Sequence, residues 1–556
     1  MWVTGLKAKP PSIDAFPVDE VADQLPTPST LNAMIEPDMT TAAAVVEAAS
    51  DLVASGTNKL RESGSVDTDQ VLAYDLAHTA AATETARSML AYGAKGAIEA
   101  KLACVFIADV AAEAMGRIWG RESMWGIDSD PFASVSDFIS AWRDPNVMAE
   151  LAFEDGPRHL EDGLDLVEET FRRFSDDKVA PIAEHIHREN DDIPEDLISG
   201  LAEMGLFGLS IPEAYGGFAA GGTSDYYGMV IATEELSRGS LGAAGSLITR
   251  PEILARAIEA GGTESQKQHW LPRLASGEIL SAVAVTEPDY GSDVANLRVA
   301  ATRDGDDWLI NGTKTWCTFA ARADVLMVLV RTEPDTSLGH RGLSILIAPK
   351  PRGDGHGFRL TQPGGGTLEG RPIDTIGYRG MHSYELAFDN WSVPGENLIG
   401  GDEGLGRGFY YQMAGFENGR LQTAARAIGV MQAAYEAAKE YAENRKVFGM
   451  PIAEYQLTRA KLTRMAAIIQ ASRQFAYAVG EQMADGQGKV EASMIKAYVC
   501  KAAEWVTREA LQIHGGMGYA EEYPVSRYYV DARVLSIFEG ADETLCLKVI
   551  ARTLVK

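Results

Sequence analysis

Cysteine is scarce in this chain, and basic residues are outnumbered. The 556 residues hold four cysteines, Cys104, Cys317, Cys500 and Cys546, far apart and without a CxxC pair. That pattern excludes a disulfide framework and a cysteine-based metal site, and it suits a reducing cytoplasm. No metal is expected. Fifty Lys and Arg stand against 79 Asp and Glu, for a net charge of −29. A surface of that sign repels phosphate backbones and argues against nucleic acid as a partner. Long apolar runs are also missing. Val325 to Val330 is one of the longest, far below the roughly 20 residues that a membrane helix needs. The opening MWVTGLKAKPPSIDAF has no apolar core of the kind a signal peptide carries. The expectation is a cytoplasmic protein with no membrane segment.

What is present is an ordinary globular share of hydrophobic residues, 46%, spread over a chain too long for one core. At about 100–200 residues per domain, three or four units are expected. Residues 1–40 are rich in Pro, Asp and Thr and read as an irregular arm. Residues 41–119 are Ala-rich, with apolar positions three and four apart, the helical period. WGRESMWGIDSDPFASVSD, followed by a short helical stretch, reads as a linker within 120–158. Residues 159–276 are helical again. Residues 277–400 change character: LSAVAVTEP, WLINGTKTWC, DVLMVLVRTE, LSILIAPK and YELAFDNWSV are short β-rich runs between Gly, Asp, Asn and Pro. From 401 to 556 long helices return. An echo also links EAKLACVFIADVAAEAMGRIWG with ASMIKAYVCKAAEWVTREALQIHGG, placing Lys101 on Lys496 and Ile118 on Ile513 without a gap. Either two Ala-rich helices look alike, or residues 41–120 are a degenerate copy of part of the C-terminal unit.

Four segments carry candidate chemistry. In AVAVTEPDYGSDVANLRVAA a strand ends at Thr286, and the small turn Gly291-Ser292-Asp293 lets backbone N–H groups approach a flat or anionic ligand. In NGTKTWCTFAARADV, strand alternation puts Trp316 and Thr318 on one face, where a ring could stack and a hydroxyl could meet its edge. ENRKVFGMPIAEYQ ends a helix near Lys446 and carries Arg445, Phe448 and Gln456; the Arg fork suits a pyrophosphate. LQIHGGMGYAEEY ends a helix at His514, beside Gln512 and Gly516. Taken singly, the first is only suggestive beside a plain turn, Trp316 reads better as a core Trp and Arg445 as a solvated helix charge, and the glycine pair has the alternative of an ordinary cap.

Taken together and in this order, VTEPxxGSD, TWCT, NRxxFGxPIxxxQ, QIHGGMGY and FEG resemble the acyl-CoA dehydrogenase family over about residues 160–556. The resemblance implies an α+β fold: a helical domain, a middle β-barrel-like domain and a C-terminal four-helix bundle, here with an extra N-terminal helical module. It implies bound FAD. Thr286, Gly291, Ser292, Trp316 and Thr318 would face the flavin, and Arg445, Phe448, Gln456, Gln512 and Gly516 would hold its nucleotide half from the other subunit of a dimer. It makes Glu539, in LSIFEGADETL, the base that removes the α-proton of an acyl-CoA thioester while a hydride passes to flavin N5. A carboxylate behind Phe538 is expected to be desolvated and therefore more basic. Electron-transferring flavoprotein is the implied acceptor.

The added N-terminal unit and the C-terminal ending point within the family to a short branched substrate with a second carboxylate. Arg250, in LITRPEIL, would bind that carboxylate; Arg420 and Ser292 would help position the thioester. The alternatives are another short-chain or glutaryl-type dehydrogenase, an acyl-CoA oxidase, or a nucleic-acid-binding flavoprotein of the same fold. Two departures from the family pattern stand out: Ala541 where Thr is common, and the bulky pair Asp289-Tyr290. The extra module is expected to cover the face used for tetramers, leaving a homodimer.

Overall fold

The computed structural model describes residues 35–161, 163–353 and 356–556. The irregular arm expected over 1–40 lies almost wholly outside the described residues, as does the segment without a signal-peptide core. Helix α1 (Met39–Ser63) begins where the Asp38 carboxylate accepts the free N–H groups of Thr40 and Thr41, and it ends at Gly64 with φ +80°. Helices α2 (Gln70–Gly93) and α3 (Ala97–Ile118) follow. In α2 every residue from Leu76 to Thr83 is buried, so the helix is covered all round. Alanine permits this, because a small side chain lets neighbouring helices approach closely.

The stretch read as a linker is better packed than its breakers suggest. It folds into α4 (Glu122–Trp125), α5 (Ser136–Trp142) and α6 (Pro145–Glu150). Trp125, Phe132 and Trp142 are nearly fully buried. The Trp125 ring fills the space over Gly56, where an added Cβ would sit 2.8 Å from it. Large aromatic burial outweighs the local turn signals here.

Six helices make the next layer: α7 (Leu164–Phe174), α8 (Ala180–Glu189), α9 (Glu195–Glu203), α10 (Thr223–Gly239), α11 (Thr249–Gly261) and α12 (Glu264–Ala275). The middle of the chain forms β1 (Ser281–Ala284), β2 (Ala300–Asp304), β3 (Asp307–Thr318), β4 (Val325–Arg331), β5 (Leu343–Pro349), β6 (Phe358–Thr361), β7 (Thr367–Ile373) and β8 (Ser383–Pro394). They pair in the order β1-β4-β2-β3-β8-β7-β6, with β5 on β4. β4 is parallel to β1 and β2; the remaining pairs are antiparallel. All of β4 is buried, as its unbroken VLMVLV run requires.

The C-terminal region is built on α13 (Gly408–Asn444), α14 (Gln456–Ala484), α15 (Lys489–Ile513) and α16 (Val525–Leu535), closing with α17 (Asp542–Thr544) and α18 (Ala551–Leu554). α13 lies between α10 and α15, while α2 and α3 pack on α14 and α2 also on α15. Both segments of the sequence echo are long helices, α3 and α15. Residues 37–556 make one compact unit. Among the described residues, no helix is long and apolar enough to cross a membrane.

Candidate active site

After α16 the chain makes a closed turn, in which the Asp542 N–H donates to the Ser536 carbonyl at 3.1 Å. Inside it Glu539 (φ +54°) and Gly540 (φ +98°) are consecutive left-handed residues. Glycine adopts that region freely; a glutamate there costs about 1–3 kcal/mol and persists only where its surroundings fix it. Phe538 meets Tyr378 edge to face at 5.4 Å and lies under the Arg426 guanidinium at 4.8 Å. The Gly540 carbonyl accepts from buried Lys496 Nζ at 2.6 Å.

The Glu539 side chain is only 6% exposed. Its Oε1 accepts from Arg250 at 2.9 Å and from Arg426 at 2.8 Å; its Oε2 accepts from Thr423 Oγ1 at 2.8 Å. Gly419, Thr423 and Arg426 stand four and then three residues apart, so α13 presents them on one stripe. A Cβ at Gly419 would come within 3.0 Å of Oε2, so glycine leaves the carboxylate its room. Arg250 enters from the first turn of α11. It is buried and pairs with Glu539, not with its neighbour Glu252, which binds Asn418.

This environment corrects the expected basicity of Glu539. Burial pushes its pKa up, but Arg426 and Arg250 outweigh that, and with Thr423 they hold it at about 2 against the ordinary 4.5. Burial and the arginines oppose each other, and the arginines decide the sign. Two further cations lie close enough to feel Glu539. Arg420 is half-buried, donates to Ser493 Oγ at 3.1 Å and leaves its Nε without a partner; desolvation lowers its pKa. Burial likewise lowers the pKa of Lys496. Three buried cations, Arg250, Arg426 and Lys496, and the half-buried Arg420 thus surround one carboxylate.

On the sheet side, Thr544 Oγ1 donates to Ser292 Oγ at 2.9 Å, bringing the turn Gly291-Ser292 against α17. Thr286 is half-buried, and its carbonyl accepts from Thr315 at 2.8 Å. Trp316 and Thr318 do not share an environment. A bulge between Lys314 and Cys317 and a φ of +56° at Trp316 break the alternation that predicted one face. Trp316 is 56% exposed, whereas Thr318 is buried with its hydroxyl 3.2 Å from Ser383 Oγ. An exposed indole, an open glycine turn and three hydroxyls fit a flat amphipathic ring such as a flavin.

The remaining expected residues are not brought to Glu539. Arg445 caps α13 and is exposed, Phe448 is 86% exposed, and Gln512 and Gly516 are exposed. Gln456 donates to Asn146 at 2.6 Å. Sequence reasoning missed Thr423, Arg426 and Lys496. The helical spacing from Gly419 through Arg426 was the available signal for the first two; nothing local marks Lys496.

Three family descriptions match the chain: acyl-CoA dehydrogenase N-terminal domain over residues 162–278, middle domain over 282–391 and C-terminal domain over 406–554. The chain is similar to (2S)-methylsuccinyl-CoA dehydrogenase of Cereibacter sphaeroides, 41% identical over 89% of this chain and 92% of the relative. A solved glutaryl-coenzyme A dehydrogenase in complex with glutaryl-CoA matches with a TM-score of 0.65 and 32% identity, covering 72% of this chain and 97% of that one. A glutaryl-CoA dehydrogenase of Mycobacterium smegmatis in complex with FADH2 matches with a TM-score of 0.61 and 27% identity over 69% and 93%. The chain belongs to the acyl-CoA dehydrogenase family and is an FAD-dependent oxidoreductase acting on acyl-CoA thioesters.

Proposed function

We propose that this enzyme dehydrogenates a short branched diacid thioester, (2S)-methylsuccinyl-CoA, to mesaconyl-CoA. The observation that carries the reading is the excess of fixed cations around Glu539. One carboxylate does not need Arg250, Arg426, Arg420 and Lys496 together. A second carboxylate, arriving on the substrate, would share them, and an arginine fork binds it in bidentate fashion. The similarity to a methylsuccinyl-CoA dehydrogenase along most of both chains points the same way.

In this mechanism Glu539 is the base. It is ionised at neutral pH, so it can accept a proton, but two guanidiniums hold its charge down. A substrate carboxylate that draws Arg250 or Arg426 away would raise its basicity at the moment the α-carbon is in place. The Glu539 backbone N–H would donate to the thioester oxygen as negative charge develops there. Thr286, Gly291, Ser292, Trp316 and Thr318 would hold FAD on the sheet side; Arg445, Phe448, Gln456, Gln512 and Gly516 would hold its nucleotide half in a second copy. Bound FAD would supply the acceptor for the β-hydride. Arg420 and Ser292 would position the thioester.

The reading includes a homodimer, because α2 and α3 already cover α14 and α2 also covers α15. It includes domain limits near 158, 276 and 400, electron-transferring flavoprotein as acceptor, and a cytoplasmic setting supported by four buried free cysteines. The test is anaerobic bleaching of the flavin by methylsuccinyl-CoA and by butyryl-CoA, in wild type and Arg250→Ala. The substitution should slow bleaching by the diacid far more than by butyryl-CoA. Equal losses on both would remove the carboxylate-binding role.

A further inference from the structure

We infer that the N-terminal module sets the position of the catalytic loop through Tyr74 and His78, two residues of α2 that grip Asp542. The inference rests on the proposed role of Glu539 as base. Asp542 lies three residues beyond Glu539 and closes the same turn through its N–H to the Ser536 carbonyl. Tyr74 OH donates to Asp542 Oδ2 at 2.5 Å, and His78 Nε2 lies 3.1 Å from the same oxygen. The Cys546 thiol faces Oδ1 at 3.9 Å. His78 and Asp542 are both buried, and Tyr74 is half-buried. The carboxylate is thus enclosed by donors of the chain itself.

The reason for such a grip is the strain in the turn. Two successive left-handed residues, one of them a glutamate, need fixed points on either side. Lys496 on the Gly540 carbonyl is one such point, and Arg250, Arg426 and Thr423 fix the Glu539 carboxylate itself. The Tyr74–His78–Asp542 contact is the one that comes from the extra module. Just beyond Asp542, Thr544 touches Ser292, so the same segment also sets the sheet-side loop. The module holds the C-terminal segment elsewhere too: Asp67 pairs with Lys548 and Arg552, and Arg61 donates to the Leu554 and Val555 carbonyls. Those contacts are exposed and screened by salt, and they lie beyond the turn. The Tyr74–His78 pair on Asp542 is the one placed to move the base. Tyr74 and His78 are therefore positioning residues, acting through Asp542 on Glu539.

The experiment compares Tyr74→Phe/His78→Leu, His78→Gln and Asp67→Asn with wild type, all as FAD-loaded enzymes. Flavin reduction is followed under anaerobic conditions with whichever thioester bleaches the wild type. The double variant should keep its FAD and its KM while kcat and the flavin-reduction rate fall about 10- to 100-fold, the loss expected for a small misplacement of a reacting group. His78→Gln offers an amide N–H to the same Asp542 oxygen and should stay near wild type, as should Asp67→Asn. The inference is overturned if the double variant reduces flavin at the wild-type rate, if its loss follows FAD release or KM, or if Asp67→Asn is as damaging. If the double variant does not fold, Tyr74→Phe carries the same test with a smaller expected loss. A wild type that no thioester bleaches would remove the proposed function and this inference with it. A bleached wild type beside an unimpaired double variant would remove the inference alone.

Discussion

On the proposed function, replacing Arg426 with Met should convert Glu539 from a pH-independent base into one that titrates in an accessible range. Arg426 is fully buried and donates at 2.8 Å to Glu539 Oε1. With charge centres about 4 Å apart and an effective dielectric near 20, the attraction is about 4 kcal/mol. At 1.36 kcal/mol per unit that is about three pKa units, which would carry Glu539 from about 2 to about 5. Methionine fills much of the volume without a charge, so the effect is chiefly electrostatic. The assay is the rate of anaerobic flavin reduction by butyryl-CoA, whose acyl chain does not titrate, from about pH 4 to 7. A base works only when ionised. The wild type, with its depressed pKa, should lack an acid limb from Glu539 in that window. Arg426→Met should gain one, its rate falling as pH drops through the raised pKa. Coincident profiles for the two proteins would refute the view that Arg426 sets the basicity of Glu539.

Glu539→Gln should remain yellow and bind thioester, yet lose flavin reduction; substantial residual bleaching would exclude Glu539 as the base. The solution mass, by light scattering on the FAD-loaded protein, should correspond to two subunits, and a value of four would overturn the role assigned to the module as a cover for α14 and α15.

Legibility followed the kind of signal each element carries. The β4 core was plain in VLMVLVRTE, because a strand buried on both faces needs an unbroken apolar run. α1 to α3 were plain in their helical period. The packing of the stretch read as a linker was not legible, because Trp125 seats on Gly56 of α1, far away in the chain, and turn residues nearby say nothing about that. Trp316 and Thr318 were placed on one face by a rule that holds only in a regular strand; the bulge before Cys317 is set by pairing with β8. Glu539 was singled out by motif, but its electrostatics were read from one neighbour, Phe538. Arg250 lies 289 positions away along the chain and Arg426 lies 113 away. A pKa is a property of the assembled surroundings, and contacts at that separation leave no local trace.

The reversed sign of that shift bears on selectivity. With Glu539 as the proposed base, low basicity imposed by two arginines makes a poor catalyst for any thioester that leaves the pair intact. A monoacid ligand offers the guanidiniums nothing, so freeing Glu539 would expose two buried cations, at a cost of several kcal/mol. A diacid ligand supplies a replacement anion, and the same separation becomes an exchange of partners. On the proposed reading, the discrimination arises in the step that takes the proton as well as in binding. It would therefore appear in kcat, because an interaction realised as the transition state forms acts on the chemical step.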